Sequence, residues 1–196
     1  MTAVRASQIP NLICIARMVL VWPIVTALVE GRYATALVLT AIAGISDGLD
    51  GYLAKRFHWQ TRLGGLLDPL ADKLLLVSAF LTVTWLGLVP WWLTGVVVVR
   101  DIVIVTGGLI YQAIVAPVRP EPSKASKLNT AAQLLFLCSV LAHQAFGLPT
   151  PQLLLPLGAL VFVTACVSGL DYVLRWSLKA IDARRRNTSR MGTARS

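Results

Sequence analysis

Asp47, Asp50, Asp68 and Asp72 lie within residues 46–73 of a chain that is otherwise mostly hydrocarbon, and they are four of its nine acidic residues. Carboxylates are costly at membrane depth, and four close together repel one another unless cations neutralise them. Hard divalent cations choose carboxylate oxygens, so the simplest neutraliser is one or two metal ions. Asp47 and Asp50 are three residues apart and Asp68 and Asp72 four apart, so each pair shares one face of a helix. Two such pairs on adjacent antiparallel helices can converge on paired metals, the arrangement that orients and neutralises phosphates in displacement chemistry. Gly51 and Ala54 on the face of the first pair leave room for a ligand. Gly64-Gly65 gives a flexible entry to the second pair. Lys55 and Arg56 stand ready to meet phosphate at the membrane surface.

The elements that must hold these residues are hydrophobic helices. The chain has 196 residues, 56% hydrophobic and only 14% charged, with a mean hydropathy of +0.71. A soluble domain carries about 25% charged residues. The pattern predicts an all-α polytopic membrane protein formed as one domain over residues 1–196. Six apolar segments near the roughly 20 residues that a span requires can be marked. They run over 11–29 (with Pro23 kinking the first), 33–57, 65–89, 91–116, 126–146 and 153–176. Pro90 and the Leu148-Pro149-Thr150-Pro151 stretch mark breaks, and no internal repeat is visible.

Loop charge orients the helices. Arg5, the Lys55/Arg56/Arg62 group, the Arg119/Lys124/Lys127 group and the basic tail beyond about residue 177 all fall on one side. The positive-inside rule makes that side, and both termini, cytoplasmic. Trp85, Trp91 and Trp92 then join an outer aromatic belt. The four aspartates share one depth, just inside the inner leaflet. The net charge of +9 reports this topology and contact with anionic lipid, the Arg184–Arg186 run above all, and no nucleic acid. The opening residues predict neither a cleaved signal peptide nor an organelle presequence, so a bacterial plasma membrane is the expected location. Cys14, Cys138 and Cys166 lie in apolar runs without ligand spacing and read as packing residues.

At the aspartates the chain resembles the CDP-alcohol phosphatidyltransferase family. That signature is Asp, two residues, Asp-Gly, two residues, Ala-Arg, eight residues, Gly, three residues, Asp, three residues, Asp. Asp47, Asp50, Gly51, Ala54, Gly64, Asp68 and Asp72 match it without a spacing error. Lys55 departs from it: it keeps the charge of the usual arginine but loses the fork that binds phosphate bidentately. The resemblance implies two divalent ions, magnesium or manganese, held by the four aspartates. Asp72 would be the general base, CDP-diacylglycerol the donor and CMP the leaving group. Gly51, Ala54, Lys55, Gly64 and Asn11 would line the CDP-lipid site. A homodimer is also implied.

Two acceptors fit the family. Ile9–Leu12, Ala43-Gly44, Asp68–Lys73, Arg100-Asp101 and Ser126–Gln133 are more similar to the branch that transfers to phosphatidylglycerol and forms cardiolipin. The alternative is glycerol 3-phosphate, as in phosphatidylglycerophosphate synthases. Arg17, Arg119, Lys124 and Lys127 are the candidates for receiving an acceptor phosphate. Arg17 lies some two turns into the membrane and requires an anionic partner or a substrate phosphate. Asp101 reads either as a functional group or as the plain ion-pair partner of Arg100. His58 and His143 read as interfacial fillers. A small transporter or cation channel is the rival class, but a conduit needs polar residues through the whole thickness of the membrane.

Overall fold

The computed structural model describes residues 9–56, 64–114 and 124–193, with side chains at 15–46, 71, 73–107 and 125–173. The described residues form six α-helices and no strand: α1 Ile9–Val29, α2 Tyr33–Arg56, α3 Gly64–Trp85, α4 Trp91–Ile114, α5 Lys124–Phe146 and α6 Pro151–Thr193. A helix covers each expected segment, and two boundaries differ from expectation by more than two residues. α3 ends at Trp85, short of Val89. Gly87 adopts φ 75°, while Leu88 N–H bonds to the Val83 carbonyl and Gly87 N–H to that of Thr84. This is a Schellman stop, and the left-handed residue at its centre costs glycine nothing. α6 continues well beyond Trp176 to Thr193, because the basic segment is built from good helix formers with no proline and no glycine before Gly192. Pro23 lies inside α1, which continues through it. Thr26 Oγ1 donates to the Pro23 carbonyl at 3.1 Å.

Among the described residues, two helical stretches are long and apolar enough to cross a membrane, Ala125–Phe146 and Pro151–Val173; Ile15–Val29, Tyr33–Ser46 and Lys73–Trp85 are shorter apolar helices. The outward faces are hydrocarbon in every helix: Val19 and Trp22, Val38 and Ile42, Leu81 and Trp85, Val99 and Ile102, Leu128 and Leu135, Leu155 and Leu170 are all exposed. Soluble monomers rarely show apolar surface on that scale.

The chain divides into two compact units, Met1–Thr94 with Gln133–Gly158, and Gly95–Ala132 with Ala159–Ser196. In the first, α1 packs against both α2 and α3. The C-terminal part of α5, from Gln133 onward, belongs to this unit as well. Phe80 of α3 and Phe136 of α5 are tilted rings with centroids 6.3 Å apart. A Cβ at Gly44 of α2 would run into Leu134 of α5, and one at Gly158 of α6 would come within 3.4 Å of Phe136. The buried core includes Ile24, Leu28, Phe80, Val83, Leu137 and Leu141. In the second unit α4 and α6 approach where a Cβ at Gly107 would lie 2.9 Å from Tyr172.

Candidate active site

The backbone carries Asp47 and Asp50 in the C-terminal part of α2, and Asp68 and Asp72 in the first turns of α3. Both helices pack on α1. The four aspartate side chains lie outside the described residues, as do those of Asn11, Ala54, Lys55 and Lys124; these residues, with Gly51 and Gly64, have helical backbone. Arg119, His58 and Arg62 fall wholly outside them. Among the described residues no group of three or more His, Cys, Asp or Glu could hold a metal ion. The donor set itself, four carboxylates, suits a hard divalent cation.

The described candidates divide. Arg17 is buried in the first unit at 2% exposure, whereas Lys127 is exposed on the first turns of α5. Arg100 and Asp101 form a buried ion pair, Nη1 to Oδ1 at 2.5 Å, as expected of adjacent opposite charges kept from water. Sequence reading did not reveal what else Arg100 does. Its Nη2 donates to Ser126 Oγ on α5 at 2.7 Å and to Ser168 Oγ on α6 at 2.6 Å. One guanidinium therefore ties three helices of the second unit together. This use exploits the planar fork, which an ammonium lacks. Nearby, Thr164 Oγ1 of α6 donates to Asn129 Oδ1 of α5 at 3.1 Å. The serines are 26 and 68 residues from Arg100, and no local pattern links them. The only available signal is the rule that a buried charge must find partners.

Four polar groups within the helices were likewise not singled out. Thr40, Asn129, Gln133 and Ser168 are buried, the first three completely. His143, expected as an interfacial filler, donates from Nδ1 to the Pro149 carbonyl at 2.8 Å, clasping the turn that follows α5.

Comparison with known proteins bears on the aspartate pattern. The chain is similar to a probable cardiolipin synthase (CMP-forming) of Drosophila melanogaster, 33% identical over 182 residues, covering 85% of this chain and 56% of that protein. It is similar to the cardiolipin synthase (CMP-forming) of Homo sapiens, 29% identical over 180 residues, covering 84% of this chain and 60% of that protein. The chain thus spans somewhat over half the length of these two relatives. It is also similar to the CDP-diacylglycerol–glycerol-3-phosphate 3-phosphatidyltransferase of Aquifex aeolicus, 31% identical over 175 residues, covering 86% of this chain and 95% of that protein. The family model for CDP-alcohol phosphatidyltransferase matches residues 7–170, a span that takes in all four aspartates and five of the six helices in full. On this match the chain belongs to the CDP-alcohol phosphatidyltransferase family.

Proposed function

We propose that this protein is a membrane enzyme that transfers a phosphatidyl group from CDP-diacylglycerol to an acceptor hydroxyl, releasing CMP. The observation that carries this reading is the unbroken spacing from Asp47 to Asp72, divided between the end of α2 and the start of α3, in a chain of this family. The apolar outward faces of the helices support six spans in one catalytic domain over residues 1–196, and the loop charges support cytoplasmic termini. We place it in a bacterial inner membrane, and the same charges favour a site at the cytoplasmic face.

The carboxylates of Asp47, Asp50, Asp68 and Asp72 would hold two magnesium or manganese ions. Such ions neutralise phosphate charge and orient the displacement. Asp72 accepts the proton of the attacking hydroxyl, provided it lies within hydrogen-bond reach. Gly51, Ala54, Gly64, Lys55 and Asn11 form the CDP-lipid site, and Arg17, Arg119, Lys124 and Lys127 offer charge to an acceptor phosphate. The acceptor is phosphatidylglycerol and the product cardiolipin; the Arg100-Asp101 and Ser126–Gln133 stretches favour this branch. The similarity to the Aquifex aeolicus protein, which extends over 95% of that chain, favours glycerol 3-phosphate as the second reading. The basic end of α6 rests on anionic lipid, and two copies form a dimer.

The test of donor and metal is direct. Purified protein should release CMP from CDP-diacylglycerol, lose that activity in excess chelator and recover it with added magnesium. Full activity in chelator would exclude the metal-dependent reading.

A further inference from the structure

Gln133 is completely buried, and among the described residues neither its Oε1 nor its Nε2 has a hydrogen-bond partner. A buried amide left unpaired at both ends costs several kcal/mol, so its place in a core calls for an explanation. Its position supplies one. Gln133 adjoins Leu134, and Leu134 packs on Gly44, which precedes Asp47 by three residues on α2. Along the helices, Gln133 therefore lies within about one turn of the level of Asp47. Thr40, four residues before Gly44 on the same stripe of α2, is also buried with an unpartnered Oγ1. Gln133 thus lies near the level of α2 that carries Asp47.

We propose that the Gln133 carboxamide is a subsite for the vicinal diol of the acceptor. This deepens the transferase reading above and rests on it. A carboxamide presents one accepting oxygen and a donating NH₂ side by side. A 1,2-diol presents two hydroxyls, each able to donate and accept, at matching spacing. Bound this way, the diol satisfies both ends of Gln133, and its terminal hydroxyl is held for attack while the secondary hydroxyl is the group recognised. The glycerol headgroup of phosphatidylglycerol and free glycerol 3-phosphate share this diol, so the subsite serves a glycerol end whichever molecule carries it.

The experiment compares each diol with its partner lacking the secondary hydroxyl: phosphatidylglycerol against phosphatidyl-1,3-propanediol, and glycerol 3-phosphate against 1,3-propanediol monophosphate. The active pair identifies the source of the diol. Wild-type protein should prefer the diol by at least about tenfold in kcat/KM, since a site built to bind a hydroxyl discriminates against its loss. Gln133→Leu should abolish that preference. The diol acceptor should fall about tenfold or more and the deoxy acceptor clearly less, since it loses only the contact to its terminal hydroxyl, while the KM for CDP-diacylglycerol should stay within about twofold of wild type. The melting temperature should not drop, because leucine replaces an unpartnered amide. Should Gln133→Leu not fold, Gln133→Met carries the same comparison with an unbranched side chain. A variant that retains the diol preference, or that loses both acceptors equally, overturns the proposal. Wild-type protein that releases no CMP with any acceptor overturns the transferase reading, and this one with it.

Discussion

The proposed chemistry of this chain is concentrated in four aspartates, and single substitutions separate their proposed roles. Asparagine keeps the size of aspartate and removes the charge. If Asp50 and Asp68 hold cations, Asp50→Asn or Asp68→Asn should abolish CMP release while the protein elutes and melts as wild type does; near-normal turnover in either variant would contradict the metal assignment. Asp72 has a second assigned task. If it only shields charge, Asp72→Asn should recover its rate at saturating magnesium. If it takes the acceptor proton, the rate should remain about 10²–10⁴-fold low however much metal is added. A magnesium titration of the variant distinguishes these outcomes.

The helices show which features can be read locally. All six were expected from runs of apolar residues, because the length of a span sets a strong minimum on each run. The end of α3 could not be read this way: Leu86 to Val89 is still largely apolar, and a single left-handed glycine decides the stop. The extension of α6 was hidden for the opposite reason, since its residues are basic yet helix-forming. The spacing of the carboxylate motif identified the candidate site, whereas Gln133 and the serines bound to Arg100 emerge only when distant helices pack. That packing gives Arg100 a structural role with a measurable cost. Arg100→Leu removes the guanidinium that pairs with the buried Asp101 and donates to Ser126 and Ser168. Losing one member of a buried pair costs about 3–5 kcal/mol, so the variant should unfold at a markedly lower temperature in detergent. Arg100→Lys should recover only part of the loss, because one ammonium cannot reproduce the fork. An unchanged melting temperature in Arg100→Leu would mean that the cluster does not hold α4, α5 and α6 together.

At the scale of the whole molecule, the proposed reading is a membrane enzyme whose carboxylates lie near its basic, cytoplasmic face. This arrangement suits chemistry between a lipid-borne pyrophosphate and an acceptor at the inner surface. A lipid acceptor enters sideways from the bilayer, while glycerol 3-phosphate arrives from water as a dianion and requires a tighter basic pocket. The measurement that tests the central reading most directly therefore follows both products. Purified protein is incubated with CDP-diacylglycerol and magnesium, together with either phosphatidylglycerol or glycerol 3-phosphate, and the released nucleotide and the new lipid are identified by mass. The expected result is CMP with cardiolipin in the phosphatidylglycerol arm. Phosphatidylglycerophosphate formed only in the glycerol 3-phosphate arm would contradict the acceptor assignment, and no CMP in either arm would contradict phosphatidyl transfer itself.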